Sequence, residues 1–268
     1  MEKTVANKNI FDKDFILLDG AMGTMLQQKG MELGTVPETL NITKPDWIID
    51  IHKQYIDAGS DVVYANTFGA NRYKMANTGY SVDELIGAAI NNAKEAAKGT
   101  ETLVALDMGP IGQLLEPTGS LSFEEAYDIF KEEVIAGRNS GADIIVIETM
   151  TDLMETKAAI LAAKENSDLQ VMCTMTFEDN KRTFTGCSVS AMCLTVQGLG
   201  VDALGINCSL GPKELIPIVE EISKWTTVPI VVKANACFAL PFVHTQVDSL
   251  IQYSKVQSDI NRMSLFPA

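Results

Sequence analysis

The stretch ADIIVIETMTDLMETKAAI, residues 142–160, holds a continuous apolar run, ADIIVIET, followed at once by a helical pattern that begins near Asp152. A strand apolar on both sides belongs in a parallel sheet with both faces covered, because a solvated face would impose alternation. Outward from it, the same unit recurs. Strand-like runs occur at 15–19 (FILLD), 61–67 (DVVYANT), 103–109 (LVALDMG), 170–177 (QVMCTMTF), 203–209 (ALGINCS) and 229–236 (PIVVKANA). Between them lie helical patterns such as PDWIIDIHKQYIDAG and SFEEAYDIFKEEVIAGRNSG. Ser122 with Glu125 reads as a capping box, and Gly59 and Gly141 sit where helices end. Strand–helix units spaced by roughly 30–40 residues predict a (β/α)8 TIM-type barrel more readily than an open doubly wound sheet.

The 268 residues suffice for one such barrel, and no linker, repeat or low-complexity tract divides residues 1–268 into further domains. A formal charge of -14, from 21 Lys and Arg against 35 Asp and Glu, argues against a nucleic-acid partner, which would require clustered cations. No apolar stretch reaches membrane-spanning length, and MEKTVANKNIFDKDF lacks a secretory signal's apolar core, so a cytoplasmic protein with no membrane partner is expected. The 5 cysteines have no CxxC spacing and read as isolated thiols or metal ligands, not as a disulfide framework.

Polar and glycine-containing clusters follow the strands, where barrel enzymes assemble their sites from several βα loops. The first is Asp19-Gly20-Ala21-Met22-Gly23-Thr24. It matches neither a Walker A loop nor the dinucleotide fingerprint. A carboxylate beside glycine-freed backbone N–H groups suits a zwitterion, with Asp19 taking an ammonium and the backbone a carboxylate; a plain tight turn explains the residues equally well. Glu148 either meets a cation at the rim or caps the helix near Asp152. Asn66 and Asn207, at equivalent strand ends, either orient a ligand or satisfy loop backbone. Cys208 is placed to bind Zn²⁺ or act as a nucleophile, against the plain alternative of a small buried hydrophobe.

In this order the loops resemble those of the homocysteine S-methyltransferases, and most of all the N-terminal homocysteine module of bacterial cobalamin-dependent methionine synthases. The resemblance rests on LLDGAMGTMLQQKG, HKQYIDAGSDVVYANTFGANR, GPIGQLLEPTGSLSFEEAY, GADIIVIETMTDLMETKAA, TMTFEDNKRTFTG and GVDALGINCSLGPKEL, and it is strongest over residues 15–236. It implies a barrel that binds homocysteine and transfers a methyl group to its thiol, giving methionine. It implies zinc on three cysteine thiolates, of which Cys208 matches the first. Asp19, the Gly20, Ala21 and Met22 backbone, and Glu148 match the groups that hold the amino-acid end. Asn235 matches an asparagine that fills the metal's open position when substrate is absent. The methyl donor it implies is methylcobalamin or 5-methyltetrahydrofolate on a cobalamin-binding or folate-binding partner protein or module, with S-methylmethionine or a betaine-like donor second.

Beyond 236 the pattern departs. The family continues with a Gly-Leu-Pro turn, a helix and a last strand ending in Gly-Gly-Cys-Cys-Gly. Here CFALPFVHTQ follows, VDSLIQYSKVQSDI (247–260) reads as the seventh helix, and neither an eighth strand nor an adjacent cysteine pair is visible. The expectation is a barrel that stops before strand eight in a divergent 237–268 tail, without two of three zinc ligands. Cys237 is no obvious replacement. Unpaired edges would favour self-association into a homo-oligomer or instability. A second expectation is therefore a catalytically incomplete or remnant barrel that binds an amino acid without zinc chemistry. A third, another barrel enzyme such as an aldolase or lyase, would need a strand-end lysine, for which Lys233 is the candidate.

Overall fold

In the computed structural model, residues 10–208 and 210–235 are described. A short α1 (Met22–Gln28) and α2 (Leu40–Thr43) precede α3 (Pro45–Asp57) and β1 (Val62–Tyr64). Strict alternation then follows: α4 (Val82–Ala96), β2 (Leu103–Met108), α5 (Phe123–Asn139), β3 (Ile144–Met150), α6 (Leu153–Asn166), β4 (Gln170–Met175), α7 (Val189–Gly198), β5 (Ala203–Asn207), α8 (Pro212–Trp225) and β6 (Ile230–Lys233). Every strand pair is parallel, and the order β1-β2-β3-β4-β5-β6 follows the sequence. This is TIM-type barrel architecture, with sequential parallel strands inside a ring of helices. The 237–268 tail, with Cys237 and the helix expected there, lies outside the described residues.

Local chemistry starts and stops the helices as the sequence suggests. Ser81 with Glu84, and Ser122 with Glu125, form reciprocal capping boxes on α4 and α5. Asp152 caps α6, accepting hydrogen bonds from the Met154 and Glu155 N–H groups. Gly59 (φ 100°) and Gly141 (φ 88°) follow α3 and α5 in the left-handed conformation that ends helices.

The expected strand at 15–19 is much reduced. Leu18 forms an isolated parallel bridge with Val62, and the Asp19 N–H donates to the Val62 carbonyl at 3.1 Å. Asp19 itself ends the ladder. Its side-chain Oδ2 accepts the Tyr64 N–H at 2.8 Å, the donor that the next backbone rung would require.

Period-two alternation divides the strand residues between two apolar layers. Val63, Val104, Leu106, Ile145, Ile147, Val171, Cys173, Leu204 and Ile206 pack outward against the helices. Val62, Tyr64, Ala105, Ile144, Val146, Met172, Ala203 and Val231 form a separate interior cluster, joined by Ile16 and Leu18 from the first segment. At the interior position of β5 stands Gly205, where an added Cβ would come within 1.8 Å of the Val231 carbonyl oxygen. Among the described residues, no helix is long and apolar enough to cross a membrane.

On α3, His52 is fully buried and neither ring nitrogen has a hydrogen-bond partner. Burial lowers its pKa from 6.5 to about 4. The unfolded chain therefore binds one more proton than the native protein between those values, so stability is full above pH 6.5 and falls as pH drops towards 4. Denaturant titrations at pH 7 and pH 5 should show the wild type losing about 2 kcal/mol more than His52→Leu between the two conditions. Equal losses would assign the slope to other groups.

Candidate functional site

Above the interior apolar layer, the same alternation places polar side chains: Asp107 on β2, Glu148 on β3, Thr174 on β4, Asn207 on β5 and Lys233 on β6. They face the carboxyl ends of the strands. A cavity of about 790 Å³ opens there, within the size range of small-molecule sites. Its lining includes Asp19 through Met22, Asn66, Asp107, Glu148, Cys208, Lys233 and Asn235. Asn207 does not line it. That side chain is fully buried behind the wall.

Lys233 stands between the carboxylates contributed by opposite parts of the sheet. Its Nζ lies 3.5 Å from Asp19 Oδ1, 3.7 Å from Glu148 Oε2 and 3.8 Å from the Tyr64 ring centroid. A contact between residues 19 and 233 requires the sheet to curl, which brings the first segment and β6 across the interior. Burial alone would push the ammonium's pKa down, but Glu148, Asp19, Tyr64 and Asp107 together hold it well above the usual lysine value. Burial raises Asp19 to about 6, opposed by Lys233 and the Tyr64 N–H.

A bulge between Ile147 and Met150 breaks the β3–β4 register where Glu148 and Thr149 sit. Thr149 has φ 61°, a strained conformation for a β-branched residue. Asn207 holds it there. Its Oδ1 accepts from the Thr149 N–H (2.9 Å) and the Thr174 hydroxyl (2.9 Å). Its Nδ2 donates to Thr149 Oγ1 (2.8 Å), Glu148 Oε2 (3.2 Å) and Cys208 Sγ (3.4 Å). One buried amide thus ties the bulge, the carboxylate and the thiol together.

Cys208 leaves β5 with φ 58° and is exposed at the rim. Its N–H donates to the Lys233 carbonyl (3.1 Å), and Asn235 Nδ2 donates to its own carbonyl (2.9 Å). Burial of the sulfur, reinforced by Glu148, raises the thiol's pKa above its usual value. Deprotonation there calls for a cation. Among the described residues no group of three His, Cys, Asp or Glu side chains is placed to hold a metal. A single thiol does not make a stable zinc site, so these residues alone do not fit the metal.

The first loop closes over Tyr55. A Cβ on Gly20 would stand 2.7 Å from the Tyr55 hydroxyl oxygen, and that hydroxyl donates to the Ala21 carbonyl at 3.3 Å. Asn66 lines the cavity, yet its amide is engaged by the preceding loop, donating to the Pro37 carbonyl (2.8 Å) and Asn41 Oδ1 (3.1 Å). Glu148 does not cap α6, since Asp152 does. Sequence reasoning missed Asp107 altogether, and it considered Lys233 only as a lyase-type amine. The signal was present for both, as a charge inside an apolar strand at an inward position.

Comparison with known proteins gives a consistent result. The family model described as homocysteine S-methyltransferase matches residues 16–259. Methionine synthase of Mycobacterium leprae is 31% identical over 265 residues, which is 88% of this chain and 22% of that protein. The Mycobacterium tuberculosis methionine synthase is also 31% identical, over 262 residues, with 87% and 22% covered. The chain thus spans about a fifth of the length of these relatives. Crystal structures of the homocysteine methyltransferase MmuM from Escherichia coli share the fold. The oxidized form has a TM-score of 0.78 at 24% identity, covering 92% of this chain and 90% of that one. The metallated form has 0.77 at 23%, covering 93% and 91%.

The geometry makes Lys233 the counter-charge on which the interior depends. Lys233→Met should cost about 3–5 kcal/mol in denaturant unfolding at pH 7, the cost of leaving buried carboxylates without their partner. A cost below about 1 kcal/mol, the usual value for a surface pair, would show that water screens the cluster.

Proposed function

Because the chain belongs to the homocysteine S-methyltransferase family, we propose that its cavity binds homocysteine and presents the thiol for methylation, giving methionine. One observation carries the reading: Asn207 joins Glu148 to Cys208 in a single hydrogen-bonded unit at the wall of the cavity. That arrangement suits a small amino acid with a cationic amine at one end and a sulfur at the other. Asp19 and Glu148 serve the ammonium. The Gly20, Ala21 and Met22 backbone serves the carboxylate, and Cys208 marks the sulfur end. Zinc, when bound, would supply the positive charge that converts the substrate thiol to a nucleophilic thiolate. Cys208 would be one of its ligands, with Asn235 beside it; the others would have to come from outside the described residues.

The methyl group comes from methylcobalamin or 5-methyltetrahydrofolate carried by other modules or partner proteins. The length of the methionine synthases that the chain matches, of which it spans about a fifth, supports that division. A second reading is binding of the amino acid without metal chemistry. It is favoured by the lone thiol at the rim among the described residues.

Calorimetric titration of the chain with L-homocysteine, with and without added Zn²⁺, separates the two. The zinc reading expects binding to tighten by about tenfold or more, a gain of about 1.4 kcal/mol, and expects Cys208→Ser to abolish that gain. Identical affinities with and without Zn²⁺ would remove it and leave amino-acid binding alone. No binding under either condition would sink both.

A further inference from the structure

The cavity carries more carboxyl groups than its internal contacts use. Asp19 has both oxygens engaged, Oδ2 by the Tyr64 N–H and Oδ1 by Lys233. Glu148 Oε2 already faces Lys233 and Asn207. Asp19 and Glu148, which the proposed reading gives to the substrate ammonium, thus already share an internal one. Asp107 differs. It lines the same cavity with 6% of its surface exposed, and its Oδ1 is buried with no hydrogen-bond partner.

Nothing about its placement is loose. The Thr67 hydroxyl donates to the Asp107 carbonyl at 2.8 Å and accepts the Asp107 N–H at 3.0 Å. These bonds pin the β2 backbone so that the side chain takes the inward position beside Ala105 and opposite the helix-facing Leu106 and Met108. A carboxyl group nearly sealed in a cavity wall with no internal donor is costly unless a partner supplies N–H groups, as a cationic amine does. Asp19, Asp107 and Glu148 bring three carboxyl groups to the cavity that also holds Lys233. Burial and repulsion from Glu148 both penalise the Asp107 carboxylate while no such cation is present.

We infer that Asp107 is a further contact for the α-ammonium group of the substrate and restricts the cavity to amino acids with a free cationic amine. This deepens the homocysteine reading and rests on it. The pairing would bring the amine against Asp107, in the cavity that Glu148 and Asp19 also line. An uncharged amine or an N-acylated amino acid would leave Asp107 unpartnered and bind weakly.

The test is titration of the full chain, with Zn²⁺ present, using L-homocysteine and 4-mercaptobutanoate, the same thiol acid without its amine. Wild type, Asp107→Asn and Asp107→Ser are compared, with melting temperatures to confirm folding. Both variants should melt near wild type, since each is no larger than Asp107 and neither brings a charge into the wall. Both should bind L-homocysteine roughly tenfold to a hundredfold more weakly, the usual range for a lost hydrogen bond to a charged group, with 4-mercaptobutanoate unaffected. Wild-type affinity for L-homocysteine in either folded variant overturns the inference and leaves the homocysteine reading intact. Equal losses for the two thiols also overturn it, because a merely structural role would weaken both. If the wild type itself does not bind L-homocysteine, the functional reading and the inference fall together.

Discussion

An ammonium group buried among carboxylates governs the interior of this barrel. Lys233 meets Asp19, Glu148 and the face of Tyr64 at the level where the strands end. Isolated charges cannot be buried at tolerable cost, so Lys233 and Asp19 depend on one another for their charged states. The curl of the sheet follows, because residues 19 and 233 can meet only if the first segment and β6 face one another across the core. The cavity follows too, since polar side chains at the rim stop the interior from closing over as apolar packing.

Asn207 extends this arrangement from charge to position. Its single amide satisfies a strained Thr149, steadies Glu148 and donates to the Cys208 sulfur. Glu148 and the Cys208 thiol are therefore not independently adjustable. A shift of β3 at its bulge would carry through Asn207 to the thiol. The cysteine is nonetheless poor as an unaided nucleophile, with its thiol pKa raised by burial and by Glu148.

Much of the fold could be read from residues in a row. The apolar runs, the capping boxes at Ser122 and the glycines after α3 and α5 act over a few residues, and their signals are correspondingly local. The strand expected at 15–19 fails as a regular strand for a reason visible only in three dimensions, the side chain of Asp19 taking the Tyr64 N–H. The site divided the same way. Asp19, Glu148 and Cys208 announced themselves by standing at strand ends beside loop residues. Asp107 stands one step inside its strand, and LVALDMG gives no hint that β3, β6 and the first segment bring titratable groups to meet it. Lys233 was legible as an oddity but not as an ion-pair partner, because its partner is 214 residues earlier in the chain.

Gly205 carries a consequence of another kind. Between Ala203 and Asn207 on β5, its hydrogen occupies space where even a methyl would overlap the Val231 carbonyl oxygen. The two strand backbones therefore meet with no side chain as a spacer, directly beneath the amide that links carboxylate and thiol. In a mutational survey this position would score with the reactive residues while touching no substrate. Sequence drift elsewhere in the interior can be absorbed by trading large for small side chains. Here no smaller residue exists to trade, so the pairing of Gly205 with Val231 leaves no such freedom.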